Sequence, residues 1–394
     1  MGTLLSRMAA PRALAQVRHV TPVPPGAATG LVSEVYAQME RDFGMPAPPV
    51  ALHSPAPGTM AACWLLLRES LLASGTVGRV LKEAVATGVS AANACPYCVD
   101  VHRATLRGLT RQVDPGLRRV ASWARACGVR ETATRHEPPL LTGHSRELVA
   151  VAVTFHYLNR MVHVFLGDSP LPPEVPAGAR GTALRLFGLA LRPAARRSCP
   201  RGISLPLLPA APLPADLSWT RHVPGKGVAR SAGTAAEGGD PPVEAVAEGG
   251  DPLVEAAAAD GDRPVAAVAA GGDHLVEAFA RAAGAIGEGG ARRLPGPVRE
   301  LVTARVAAWE GEPPGLGRGW ADAAVAGLPP GQRPAARLAL LTALASYQVD
   351  DTVVAEFRNA EPDHAALVEV TSWAALTAAR RVGSWQPLTQ PTRT

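Results

Sequence analysis

The sequence predicts an all-α protein, and three observations favour this class. Alanine, the strongest helix former, supplies much of the 47% hydrophobic content, whereas aromatic residues make up only 4%. Strand-forming β-branched and aromatic residues are sparse apart from valine. Apolar residues recur at helical spacing in successive segments. At 394 residues, the chain is long enough for two domains or one large one.

Helical segments in the first part of the chain begin near Val32, after a leader (residues 1–30) that we expect to be flexible. A proline-rich stretch at 46–57 separates the first helix from the next. The predicted helices of the region 31–168 cover residues 32–43, 59–72, 77–92, 96–109, 114–128 and 147–166.

The middle of the chain changes character. Residues 169–273 are rich in proline and arginine, with one short helical piece at 184–191, and then carry an 11-residue repeat. In this repeat Asp240, Asp251, Asp262 and Asp273 recur in units such as GGDPPVEAVAE, whose glycines and prolines oppose a continuous helix. We therefore predict a largely disordered linker over 169–273.

A second helical region is predicted over 274–386, followed by a tail at 387–394. Its helices are expected at 275–286, 297–309, 333–347 and 362–382. Residues 333–357 can be laid over 78–103, and the segment from Leu367 over that from Leu148, although the second copy has no cysteine. We interpret this region as a degenerate duplication of the first.

Composition excludes several classes of function. The formal charge of +5 is spread along the chain without a dense basic run beside aromatics, so no nucleic-acid partner is expected. No run of 18 or more apolar residues predicts a membrane span. The five cysteines are an odd number and do not form the framework of a secreted fold. Cys63 and Cys127 are expected to be buried, and a reducing cytoplasm fits best.

The candidate site is the tetrapeptide Cys95-Pro96-Tyr97-Cys98, followed by His102. Pro96 fits the first turn of a helix, where its missing N–H costs nothing. A helix N-terminus and a nearby histidine are both expected to lower the pKa of a thiol. Because His102 lies at i+4 from Cys98 and not from Cys95, we expect Cys98 to be the nucleophile and Cys95 to resolve it as a disulfide.

Glu83 is a candidate to orient His102. It precedes Cys95 by 12 residues, which in an unbroken helix would separate them by about 18 Å. Only a turn near Asn93, which folds two helices against each other, brings Glu83 to the site. Its assignment therefore depends on a helical hairpin.

These residues carry a family resemblance. Glu83, Cys95, Cys98 and His102 reproduce the E-x11-CxxC-x3-H pattern, and the chain resembles the AhpD-like alkylhydroperoxidase and carboxymuconolactone decarboxylase superfamily over residues 34–167. The segment from Phe155 through Asn159 to Arg160 looks like the "NRL" helix of such proteins, and residues 372–381 resemble the long actinobacterial-type members. One departure is Tyr97, where some members carry a histidine between the cysteines.

The resemblance implies an AhpD-like helical bundle with the CxxC at a helix N-terminus, usually as a homo-oligomer, with peroxidase activity. Cys98 would be peroxidatic and Cys95 resolving, while Glu83 and His102 relay the proton. The substrate would be a hydroperoxide and the reductant an external dithiol. No haem, flavin or metal is required.

Three alternatives stay open at this point. CPYC is also the active-site tetrapeptide of glutaredoxins, but there it follows a β-strand. A zinc site would need a fourth ligand beside Cys95, Cys98 and His102, and the other histidines are scattered. A non-catalytic redox sensor or interaction protein could use the same thiol pair to switch a partner.

Overall fold

The structure is a computed structural model, and it describes residues 13–135, 142–221 and 273–386. Within these ranges the regular secondary structure is helical and contains no strand, which confirms the all-α prediction. The first half comprises α1 (Gly30–Asp42), α2 (Pro48–Ala51), α3 (Pro57–Leu67), α4 (Arg79–Ala92), α5 (Pro96–Leu109), α6 (Pro115–Ala126), α7 (Arg130–Arg135) and α8 (Thr142–Phe165). Next come α9 (Arg180–Ala195) and the second half, with α10 (His274–Arg293), α11 (Gly296–Ala308), α12 (Gly319–Val325), α13 (Arg333–Ala345), α14 (Asp351–Ala360) and α15 (His364–Ser384).

Two long helices lie at the centre of the fold. α8 packs along α15, and the Tyr157 hydroxyl donates to Ser372 Oγ at 3.2 Å across this contact. The hairpin of α4 and α5 packs on α8, and α13 packs on α15. The first half thus places the hairpin of α4 and α5 on its long helix α8, and the second half places α13 on its long helix α15, while the duplication stays a prediction.

The helix predictions differ from the structure at a few places. α5 has the predicted bounds, but α3 ends at Leu67, where the chain widens into a π-helical turn over Arg68–Leu72. α14 was not predicted as a separate helix, although the Asp350 side chain caps it by accepting from the backbone N–H of Val353.

The predicted linker is partly folded. Residues 222–272, which include the repeats at Asp240, Asp251 and Asp262, lie outside the described residues. In residues 169–221, α9 packs on α5, and Trp219 makes an edge contact with Phe279 of α10, with the ring centroids 5.1 Å apart. The expected disorder is therefore wrong for 169–221, because this segment buries apolar side chains against both halves.

Helix α9 approaches α5 very closely. A Cβ atom at Gly188 would lie 2.3 Å from the carbonyl oxygen of Ala104, and one at Gly108 would lie 2.8 Å from that of Gly188. Only glycine permits this approach, which fixes α9 beside the helix that carries Cys98.

The predicted leader is also packed against the fold where the structure describes it. Residues 1–12 and 387–394 lie outside the described residues, but residues 13–29 of the predicted flexible leader are packed. Leu14 and Val20 are buried, and the Arg18 guanidinium donates to the carbonyl oxygen of Leu166 at 2.8 Å. The described part of the leader is therefore anchored at the end of α8.

One described helix, Ser145–Phe165, is long and apolar enough to cross a membrane by length and composition. Within the fold, 94% of its apolar window is buried against the other helices. It is the core helix α8, and its composition reflects burial inside the protein.

Candidate active site at the Cys95–Cys98 pair

The two cysteines lie at a sharp reversal between α4 and α5. Ala94 adopts a positive φ of 52°, a left-handed conformation that turns the chain back on itself. The Cys95 N–H donates to the carbonyl oxygen of Ser90 at 2.9 Å, and Pro96 opens α5. This reversal is the helical hairpin on which the sequence-based assignment of Glu83 depends.

The hairpin brings Glu83 to His102. The Nδ1–H of His102 donates to Glu83 Oε2 at 2.7 Å, and the Glu83 side chain is fully buried. Because Nδ1 is held by the carboxylate, Nε2 is the ring nitrogen left to exchange a proton. The structure thus joins these two residues as the sequence predicted.

Arg79 is a third member of this charged group, and it was not identified from the sequence. Its Nη2 lies 2.7 Å from Glu83 Oε1, one helical turn away on α4. Burial alone would raise the pKa of Glu83, but Arg79 and His102 together outweigh it and lower that pKa. Glu83 is therefore a carboxylate that holds the imidazole. The i, i+4 spacing was the signal that could have identified Arg79.

Cys95 and Cys98 are free thiols, with 1% and 4% of their surfaces exposed. Burial raises the pKa of Cys98 well above its usual range, and the neighbouring Cys95 adds to this effect. The net lowering of this pKa that was expected from the helix N-terminus and the nearby histidine is wrong, because burial of the thiolate raises the pKa. A hydrogen bond from Asn159 acts in the opposite direction and lowers the Cys98 pKa in part.

Asn159 belongs to a buried polar network behind the cysteines. Its Nδ2 donates to Ser90 Oγ at 3.1 Å, and its Oδ1 accepts from Asn93 Nδ2 at 2.9 Å. These hydrogen bonds join the region of the α4–α5 reversal to α8. They fix the position of the Asn159 amide, which contacts Cys98. From the sequence, Asn159 was noted only through the family resemblance.

Cys98 and His102 line the same small cavity, whose volume is about 70 Å³. The His102 ring stands edge-on to Phe155, with the centroids 4.5 Å apart. Most of the remaining wall is apolar and includes Phe43, Met45, Leu67, Val101, Leu158 and Phe187. Cys95 is not part of this wall. The cavity is therefore a mostly apolar space that borders Cys98 and the histidine.

The other cysteines lie apart from this pair. Cys63, Cys127 and Cys199 are buried, as predicted for the first two, and burial raises the pKa of Cys127 to about 12. No cluster of three or more histidine, cysteine, aspartate or glutamate side chains suited to a metal ion occurs among the described residues. The glutaredoxin alternative is contradicted, because the segment before Cys95 is the helix α4 and not a strand.

Comparisons with known proteins agree with this geometry. The profile of the carboxymuconolactone decarboxylase family matches residues 58–112, which contain Glu83, both cysteines and His102. Alkyl hydroperoxide reductase Rv2159c of Mycobacterium tuberculosis is 34% identical over 382 residues, which are 94% of each chain. This chain belongs to the carboxymuconolactone decarboxylase family. The AhpD-like resemblance is confirmed. No solved structure matches the chain.

Proposed function

We propose that this protein is a thiol-dependent peroxidase that reduces hydroperoxides through a dithiol–disulfide cycle of Cys98 and Cys95. The observation that carries the proposal is the shared apolar cavity of Cys98 and His102, with His102 bound to the buried Glu83 carboxylate. The name of the mycobacterial relative, an alkyl hydroperoxide reductase, supports the same class of substrate.

In the first step Cys98 Sγ attacks the terminal oxygen of the hydroperoxide. The O–O bond breaks, an S–O bond forms, and Cys98 becomes a sulfenic acid while an alcohol leaves. The thiol proton passes to His102 Nε2 and from there to the departing alkoxide. Because the resting pKa of Cys98 is raised, the thiolate forms only as this proton is taken, and Glu83 stabilises the imidazolium that results.

In the second step the Cys95 thiol attacks the sulfenic sulfur. A disulfide joins Cys95 to Cys98 and water leaves, carrying the sulfenic oxygen. An external dithiol then reduces the disulfide and is itself oxidised. This requirement fits a reducing cytoplasm, the compartment we propose. A homo-oligomer, and the absence of nucleic-acid and membrane partners, remain predictions.

Peroxide consumption with an excess of dithiol tests the proposal. We expect Cys98→Ser to abolish turnover and Cys95→Ser to slow it, because the dithiol must then reduce the Cys98 sulfenic acid directly instead of a Cys95–Cys98 disulfide. Cys127→Ser, a buried cysteine outside the cavity, is the matched control and should turn over like the wild type. Continued turnover by Cys98→Ser would refute the assignment.

A redox sensor is the second candidate, because Cys95 borders a groove whose other wall belongs to the cysteine-free second half, so oxidation of the pair would be felt by that half. The two functions differ in turnover. A sensor would consume one equivalent of hydroperoxide, form the disulfide, and remain oxidised in the presence of a dithiol that reduces a peroxidase.

A further inference from the structure

The two cysteines open onto different spaces. Cys98 lines the small apolar cavity, whereas Cys95 lines a separate open groove of about 580 Å³. Tyr97, which lies between them in sequence, borders both spaces. The groove therefore borders Cys95 and the cavity borders Cys98, although each cysteine exposes only a few per cent of its surface.

The groove lies between the two halves of the chain. The first half contributes the reversal at Cys95 and the end of α8, including His163 and Asp168. The second half contributes residues 347–352, at the start of α14. Tyr347 is 52% exposed and the Asp351 side chain is 92% exposed, so this wall is open to solvent. The cysteine-free half thereby forms part of the approach to Cys95.

Acidic side chains outnumber basic ones around the groove. Among the described side chains that line the groove, Asp168, Asp350 and Asp351 are acidic and Arg18 is basic; Arg18 keeps its charge while its guanidinium donates to the carbonyl oxygens of His163 and Leu166. Arg318 pairs with Asp350 at 2.7 Å. His19 lies 3.7 Å from Asp351, but burial lowers the pKa of His19, which leaves it largely neutral at pH 7. With Arg18 and Arg318 counted against the three aspartates, the charges named here sum to −1, so the groove is weakly negative.

We propose that this groove admits the reductant, a dithiol that carries positive charge beside its thiols, and that the reductant attacks Cys95. The inference rests on the proposed peroxidase function and adds the identity of the attacked sulfur, the route and the charge of the partner. In this proposal the second half of the chain forms one wall of the route to Cys95.

The reaction follows from this placement. A thiolate of the reductant bonds to Cys95 Sγ, the Cys95–Cys98 bond breaks, and Cys98 leaves as a thiolate into its own cavity, where His102 supplies a proton. The second thiol of the reductant then attacks the mixed disulfide at the reductant's own sulfur. Cys95 leaves as a thiolate and is protonated, and the reductant departs as a disulfide.

The first stage of the test oxidises the protein with one equivalent of hydroperoxide and verifies the Cys95–Cys98 disulfide by mass spectrometry. Failure to form this disulfide would refute the proposed function itself. The second stage starts from the oxidised protein, so its outcome bears on the groove alone.

The second stage compares reduction by cysteamine, a cationic thiol, with reduction by 2-mercaptoethanesulfonate, an anionic thiol, at matched thiolate concentrations. The ratio of the two rates in wild type is compared with the ratio in Asp351→Lys, so that the intrinsic reactivity of each thiol cancels. We expect the preference for cysteamine to fall about fivefold or more at low salt, because Asp351→Lys changes the charge of the groove wall by two units.

Glu131→Lys is the matched control, since Glu131 is an exposed acid on α7 that pairs with Arg135 of the same helix and does not line the groove. Its ratio should equal that of the wild type. An unchanged ratio in Asp351→Lys, or an equal change in Glu131→Lys, would overturn the charge assignment. In a parallel sample quenched with an alkylating agent, cysteamine should be found on Cys95 and the alkyl group on Cys98. The reverse labelling would overturn the route.

Discussion

Replacing Glu83 by glutamine tests whether the carboxylate behind His102 supports the proton relay. The carboxylate is fully buried, accepts from His102 Nδ1 at 2.7 Å, and is paired with Arg79 at 2.7 Å. Glutamine keeps the size of the side chain but removes the charge that stabilises a protonated His102. A hydrogen bond to a charged group contributes about 1.5–3 kcal/mol, and each 1.4 kcal/mol is tenfold in rate. Glu83→Gln should therefore slow the oxidation of Cys98 by about 10- to 150-fold.

The assay is the single-turnover rate of hydroperoxide loss with fully reduced protein, in the absence of reductant. Glu69→Gln provides the matched control, because Glu69 is equally buried and pairs with Arg68 at 2.6 Å, but does not line the cavity. Both variants should unfold more easily, as expected when a buried ion pair loses one charge. Only Glu83→Gln should react slowly. Equal rates for Glu83→Gln and wild type, or equal slowing in both variants, would refute the relay.

Three further predictions follow from the geometry. Asn159→Ala should move the midpoint of Cys98 alkylation to higher pH, because the hydrogen bond from Asn159 lowers the Cys98 pKa; an unchanged midpoint would contradict this contact. Phe187→Ala should open the cavity wall formed by α9 and raise the preference for cumene hydroperoxide over hydrogen peroxide several-fold in kcat/KM, whereas no change would place the substrate elsewhere. Burial alone would raise the pKa of Glu147, but Lys82 and hydrogen bonds with Thr76 outweigh this effect and lower the pKa from 4.5 to about 2. Its ionised form stabilises the fold above about pH 4.5, and this stability is lost as the pH falls towards 2; the gap in urea stability between wild type and Glu147→Gln should therefore shrink over that range.

Much of the fold could be predicted from local patterns. The bounds of α5 follow from Pro96 at its first turn, and the pairing of Glu83 with His102 follows from a hairpin that the break at Asn93 indicates. The packed segment 169–221 could not be predicted from proline and arginine content, because its order comes from distant apolar partners such as Phe279.

The electrostatics of the site depend on the tertiary structure. The sequence places Cys98 at a helix N-terminus, which favours the thiolate, but it does not show that packing buries the thiol and raises its pKa. The wall formed by Tyr347 and Asp351 lies about 250 residues from Cys95 in sequence, and no local pattern connects them. Arg79, by contrast, could have been found from its spacing to Glu83.

The most direct test of the account maps the cysteines after reaction with one equivalent of an alkyl hydroperoxide. Peptide mass spectrometry of the wild type should show a Cys95–Cys98 disulfide, with Cys63, Cys127 and Cys199 still reduced. In Cys95→Ser, trapping with a sulfenic-acid reagent should label Cys98. A sulfenic acid on any other cysteine, or a disulfide that does not join Cys95 to Cys98, would contradict the central claim.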